Sequence, residues 1–460
     1  MRYPAYPEYK ESGVQWLGQV PRHWEVKRLK FAFPKLYAGV SVNSESAPAD
    51  QESVGVMKTS CVYGNQFIPT ENKRVVDEEI ERVACPVTSD SIIVSRMNTP
   101  ELVGNCGYVD RDYPNLFLPD RLWIARFSTR QKLHGKYAWY LCISDGISKL
   151  TGALATGTSG SMKNLSQEAF LNIDAIVPPL PEQTAIAVFL DQETGLIDTL
   201  VAKKRRLIAL LKEKRTALIS HIVTHGLPEA AAREFGLNPH TRFKDSGIEW
   251  LGQVPEEWDV LPFTKYVGEK SDYRGKTPEK TDDGIFLVTA KNVRMGFIDY
   301  ETSKEYVAKE DYDEIMRRGL PKLGDILFTT EAPLGNVALV DDENVAMAQR
   351  IIRFRMRPNR FESKFTLYGM MSDHFQNQLK SLSTGSTAEG LKASKLTVLK
   401  LICPPLPEQT AIATYLNRET AKIDKLVEKI DAAIVRLQEY RTALITAAVT
   451  GKIDVREVEV

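Results

Sequence analysis

The sequence predicts two mixed α/β heads, related by a pseudo-two-fold axis and separated by a long antiparallel two-helix coiled coil. Three observations predict this fold. A Trp-Leu-Gly-Gln-Val-Pro segment occurs twice, a Pro-Pro-Leu-Pro-Glu-Gln segment occurs twice, and a long proline-free run follows each copy of the second. Repeats of this kind set the whole architecture, so they weigh more than local propensity.

The repeats come first. Residues 12–26 (SGVQWLGQVPRHWEV) match residues 246–260 (SGIEWLGQVPEEWDV) at 10 of 15 positions. Residues 178–198 (PPLPEQTAIAVFLDQETGLID) match residues 404–424 (PPLPEQTAIATYLNRETAKID) at 15 of 21, offset by 226 residues. The run Arg215–Ile219 repeats at Arg441–Ile445 with the same offset of 226. The chain is therefore a duplication, laid out as follows. Residues 1–26 are an N-terminal segment and 27–177 a first head. Residues 178–260 form a central region, with a long helix over 178–225, a linker and the second Trp-Leu-Gly segment. Residues 261–403 are a second head, and 404–460 carry the second long helix. The heads share only faint echoes, such as Gly104-Asn105 with Gly335-Asn336 and Asp120-Arg121-Leu122 with Gln349-Arg350-Ile351. A kept frame around divergent heads implies similar jobs on different targets.

Within the heads, short β-branched runs bounded by turn residues predict strands at Ser91–Val94, Leu122–Ala125, Ile285–Val288 and Asp325–Phe328. A Gly/Ser/Thr loop precedes each long helix, at Thr156–Asn164 and Ser383–Lys392. Backbone N–H groups in such loops can approach phosphates closely, and a plain flexible turn fits the same residues.

The helices follow. Pro178-Pro179-Leu180-Pro181-Glu182 opens the first, since proline suits a first turn and an early Glu complements the helix dipole. Gly226 supplies its stop. At 1.5 Å per residue the run is a rod of about 60 Å. Its apolar stripe is Ile197, Val201, Ile208, Leu211, Leu218 and Ile222, interrupted at Lys204. On the second helix Ile423, Ile430, Leu437 and Leu444 recur every seven residues. Leu426, Val427, Ile434, Tyr440 and Arg441 are assigned to the remaining seam positions, a coiled-coil period. The basic runs Lys203–Arg206 and Lys212–Arg215 are expected to lie exposed beside the first stripe. The simplest partner for each helix is its own duplicate, with one helix packed on a globular core as the alternative.

Composition narrows the function. The chain has 460 residues, 43% apolar and 26% charged, with 60 basic and 60 acidic side chains. This balance is that of an ordinary globular protein. It gives no bulk attraction to nucleic acid, so any such contact must come from local patches or be shared with partners. No apolar run approaches the roughly 20 residues that span a bilayer, and no signal core follows Met1. A cytoplasmic protein is expected. Cys61, Cys85, Cys106, Cys142 and Cys403 form no Cys-x-x-Cys pair and no zinc spacing, and read as small buried residues.

Catalytic signatures are missing. The sequence has no phosphate-binding loop and no Gly-rich cofactor turn after a strand. Val177-Pro178-Pro179 and Cys403-Pro404-Pro405 lack the Asn or Asp that precedes Pro-Pro in amino-methyltransferase sites. His221, His225 and His240 have no nucleophile context, and Asp282 and Asp283 have no partner that spacing identifies.

The paired Ser-Gly-x-x-Trp-Leu-Gly-x-x-Pro-x-x-Trp and Pro-Pro-Leu-Pro-Glu-Gln-x-x-Ile motifs resemble those of type I restriction–modification specificity subunits. The resemblance spans the whole chain, with both motifs repeated in the expected order. It implies that the heads are target-recognition domains, each reading half of an interrupted double-stranded DNA site. It implies that the helices set the spacer and bind two methyltransferase subunits, and that two translocase–nuclease subunits complete the complex. The chain itself would be non-catalytic and free of cofactor and metal. S-adenosylmethionine, ATP and Mg²⁺ would belong to the partners of an adenine-specific DNA methyltransferase and ATP-dependent endonuclease. No membrane is implied.

Base reading favours Arg or Lys on guanine and Asn or Gln on adenine. The DNA-contact candidates are Lys58, Arg96, Lys163 and Asn164 in the first head, and Lys291, Asn292, Arg294, Arg350 and Lys392 in the second. Two other classes fit the same sequence: a non-catalytic adapter whose heads bind proteins, and a metal-dependent nuclease site hidden in one head.

Overall fold

In the computed structural model, residues 3–127, 133–159, 161–248, 250–273, 277–383 and 390–458 are described. The chain forms two compact units: Met1–Lys204 with Ala432–Val460, and Arg205–Asp431.

The head of the first unit is built on a four-stranded sheet, ordered Cys106–Val109, Ser91–Ser95, Leu122–Arg126, Leu36–Ala38, all antiparallel. Ile92, Ile93, Val94 and Ile124 are fully buried, because both faces of this sheet are covered. A second sheet pairs Gly55–Met57 in parallel with Tyr113–Phe117. Two helices, Gly135–Cys142 and Asp145–Leu154, complete the head. The strand Asp174–Val177 then pairs with Glu25–Arg28, tying the end of the head to its start.

The second unit repeats this plan. Its main sheet runs Leu334–Leu339, Ile326–Thr330, Ile351–Met356, Val267–Asp272, again antiparallel. Ile285–Val288 pairs in parallel with Val345–Met347, helices Ser363–Met371 and Asp373–Leu382 follow, and Asp259–Pro262 pairs with Lys400–Cys403. All four predicted strands are present, each within a residue or two of its expected bounds. The echoes in the sequence mark real correspondences. Gly104 and Gly335 both take a positive φ (82° and 84°) beside the buried strand, and Leu122 and Ile351 both begin the partner strand.

The long helices run Leu180–His225 and Leu406–Val449. Pro178, Pro179, Pro404 and Pro405 stay outside them. The carbonyls of Pro179 and Pro405 accept the first helical hydrogen bonds, from Glu182 and Gln183 and from Glu408 and Gln409. Pro181 and Pro407 sit in the first turn, where the missing N–H costs nothing. Gly226 and Gly451 end the helices with φ of 88° and 72°. A Cβ on Gly226 would lie 2.6 Å from the His240 ring, and one on Gly451 2.4 Å from Pro21, so glycine serves both the backbone and the packing there.

In each unit one segment of the first helix lies antiparallel to one segment of the second. In the first unit Arg441 donates to both carboxylate oxygens of Asp198 at 3.0 and 3.2 Å. In the second unit Arg215 pairs with Asp424 at 2.9 Å. These are the same pair in duplicate, since both residues shift by the repeat offset of 226. Ile197, Val201, Ile208, Ile222, Ile430, Ile434 and Leu444 are buried, and Leu211, Leu218, Ile423, Val427 and Leu437 half-buried. Leu426 and Tyr440 differ from expectation, being 44% and 43% exposed. Of two adjacent helical residues only one faces inward, and here Val427 and Arg441 take the inward places. Arg215, expected on an exposed basic run, is instead half-buried in its ion pair.

Candidate nucleic-acid interface

The duplicated motifs lock each head to its helix. In the first unit the half-buried Glu182 carboxylate accepts from Trp24 Nε1 at 2.9 Å and Tyr6 Oη at 3.1 Å, and meets His23 Nε2 at 2.7 Å. Burial and this carboxylate push the Tyr6 hydroxyl well above the usual phenol range. In the second unit Glu408 accepts from Trp258 Nε1 at 2.9 Å and meets His240 Nε2 at 2.6 Å. Next to each Glu a buried Gln spans helix and head. Gln183 donates to the Pro178 carbonyl at 2.8 Å and accepts the His134 N–H at 2.8 Å. Gln409 donates to the Pro404 carbonyl at 2.8 Å and accepts the Glu362 N–H at 3.0 Å. Sequence reading missed these roles and gave the Glu only a dipole effect. The available signal was identity of the Glu, the Gln and the second Trp in both copies.

The predicted DNA-contact residues gather at two corresponding places in each head. The first is the turn after the parallel strand, holding Lys58 in head one and Lys291, Asn292 and Arg294 in head two. Lys58 stands 3.7 Å from Glu71, and Arg294 pairs with Asp299 at 3.4 Å and donates to Thr302 Oγ1 at 3.0 Å. Lys291 is exposed. Asn292 is placed differently from expectation. It is fully buried, accepts from Thr289 N and Oγ1, and donates to the carbonyls of Asp299 and Ser303. Its amide holds the loop together and presents no edge to a base.

The second place is the edge where the main sheet meets the segment before the long helix. In head one Met97–Asn98 pairs with Met162–Asn164, bringing Arg96, Lys163 and Asn164 together. Thr156–Ser159 and Met162–Asn164 are antiparallel strands, so the expected loop is largely a hairpin. In head two Glu331 bridges to Gly390, with Arg350 paired to Glu331 at 3.0 Å and Lys392 exposed nearby in sequence. Residues 384–389 of the corresponding Gly/Ser/Thr loop lie outside the described residues.

Two backbone hydrogen bonds fix the correspondence. Arg96 N donates to the Arg121 carbonyl and Leu165 N to the Arg96 carbonyl. Likewise Thr330 N donates to the Arg350 carbonyl and Leu391 N to the Thr330 carbonyl. The same framework therefore displays Arg96 and Asn164 in head one but Thr330 and Gly390 in head two. Among the described residues no group of His, Cys, Asp and Glu is arranged to hold a metal.

The family model for the type I restriction modification DNA specificity domain matches residues 21–209 and 275–436, one stretch over each head and its helix. The chain belongs to this family. As a type I specificity subunit it resembles, at 28% identity, the MjaVIII specificity subunit of Methanocaldococcus jannaschii, over 66% of this chain and 68% of that one. It is 22% identical to the putative MjaX specificity subunit of the same organism, over 97% and 98% of the two chains. The EcoBI specificity subunit of Escherichia coli is 21% identical over 72% and 68%. A chain solved in a study of the assembly and conformational transition of the type I restriction–modification system shares the fold. It has a TM-score of 0.63 at 16% identity, over 94% of this specificity subunit and 99% of that chain. No helix is long and apolar enough to cross a membrane among the described residues.

Proposed function

We propose that each head of this specificity subunit reads one half of an interrupted double-stranded DNA site. The observation that carries the reading is one head framework, present twice, displaying different side chains at corresponding positions. Two copies of one reader give two half-sites, and divergent side chains make them unlike. On this reading the chain performs no chemistry. Two methyltransferase subunits docked on its helices bring S-adenosylmethionine, and two translocase–nuclease subunits bring ATP and Mg²⁺. Near-zero net charge is compatible with this division, because partner chains supply phosphate contacts that this one lacks in bulk. Half-sites read from one face of the duplex are expected about one helical turn apart, centre to centre.

The test is methylation mapping in cells carrying the complete system. A two-part motif is expected, and exchanging residues 27–177 for those of a relative should rewrite one half only. One continuous motif, or an exchange that rewrites both halves, would refute the two-reader model. An assembled complex that fails to bind DNA while remaining intact would point to the adapter alternative.

A further inference from the structure

We infer that Arg96 is a specificity-determining residue of the first head and reads a guanine in that head's half-site. The inference rests on the two-reader model above and adds a residue, a base and a reason.

Arg96 is held at both backbone ends. Its N–H donates to the Arg121 carbonyl at 3.1 Å and its carbonyl accepts from Leu165 N at 2.8 Å. Its guanidinium lies over the Trp123 ring, 5.8 Å from the centroid, within cation–π range. Trp123 is 2% exposed and anchored in the central strand, so the stacking surface does not move. A guanidinium fixed in this way is pre-organised to offer a planar fork.

That fork is unspent. Nη1 makes one long contact, 3.5 Å to the Asp120 carbonyl, and Nε is out of solvent without a hydrogen-bond partner. Arg294 and Arg350, the other arginines singled out from the sequence, each have a carboxylate partner. Arg96 has none among the described residues. Nε is closed off from an outside acceptor, so it is the exposed Nη end, with hydrogens left over, that is free to meet one.

The corresponding position in head two decides between acceptors. There the same backbone framework carries Thr330, with Gly390 in place of Asn164. A phosphate is present in every site, so a phosphate contact would serve both heads alike, whereas a base contact differs between unlike half-sites. Guanine O6 and N7 match the planar fork of Arg96. The second half-site is read by other means.

The experiment uses the complex reconstituted with its modification subunits, carrying wild-type, Arg96→Ala, Arg96→Lys or Arg96→Thr chains. Threonine stands at the corresponding backbone position in head two, so Arg96→Thr is compatible with the fold and guards against a misfolded alanine variant. Competition binding on duplexes with each base substituted, together with methylation mapping, is the readout. Expected is a loss of about 5- to 150-fold in preference for guanine at one position of one half-site in Arg96→Ala and Arg96→Thr, and a smaller loss in Arg96→Lys, with the other half-site unchanged. Equal weakening on every sequence with an unaltered motif, restored by Arg96→Lys, would show a phosphate contact and overturn the inference. A wild-type first half-site without guanine, or an unaltered motif at full affinity in the variants, would also overturn it. Failure of the two-reader model is visible separately, as a wild-type motif that is not in two parts.

Discussion

Removing the Glu408 carboxylate should loosen the second head from its helix. Trp258 is fully buried, and Glu408 is the acceptor its indole N–H has been given. His240 closes on the other oxygen, with only 15% of its side chain exposed. In Glu408→Ala the Trp258 N–H is left buried and unbonded, which costs about 1–3 kcal/mol, and bonds to a charged acceptor worth about 1.5–3 kcal/mol are lost. These terms overlap, so the expected destabilisation of this unit is about 3–5 kcal/mol. Glu408→Gln keeps one acceptor oxygen and should cost about 1–2 kcal/mol. Hydrogen exchange around residues 253–262, combined with denaturant unfolding followed by tryptophan fluorescence, resolves the effect. A cycle with Trp258→Phe isolates the pair and should give a coupling of about 1.5–3 kcal/mol. If Glu408→Ala cost less than about 1 kcal/mol, or the coupling were near zero, the motif would not be acting as a clamp.

Two further predictions concern the same scaffold. Burial holds the His374 imidazole at about 4, below its ordinary 6.5. Its Nε2 accepts from the Gln378 amide at 3.1 Å, a bond that protonation would break. The unfolded chain therefore takes the proton first. The neutral form's stability is complete above pH 6.5 and is lost as pH falls toward 4, by about 3 kcal/mol at most. Unfolding free energies at pH 7 and 4.5 should show a steeper loss for the wild type than for His374→Gln, and equal slopes would contradict this. For the duplicated ion pair, Asp424→Arg should cost about 1 kcal/mol, and adding Arg215→Asp should recover most of it. Recovery is read from thermal unfolding, and no recovery would mean the pair is incidental.

Much of the architecture was readable without coordinates, for a physical reason. A duplication is visible as identity at a fixed offset, and burial on one helical face is visible as a period. Ser91–Val94 and Asp325–Phe328 announced themselves as apolar runs between turns because both faces of their sheets are covered. Period alone did not tell Val427 from Leu426, or Arg441 from Tyr440, since adjacent residues fit a seam equally until the facing helix chooses one. The site was less legible. Lys58, Arg294 and Arg350 were singled out as DNA contacts, but only the fold shows that each stands beside a carboxylate, 13, 5 and 19 residues away along the chain.

The sequence by itself determined the doubling, the order of elements and the kinship to type I specificity subunits, because these depend on residue identity along one dimension. The tertiary structure decided which polar groups are spent and which are free. Asn292 is consumed inside its own loop, Glu182 and Glu408 are consumed by buried tryptophans, and Arg96 is left over. Hydrogen-bond satisfaction depends on neighbours brought together from distant parts of the chain, and no pattern of local spacing encodes it.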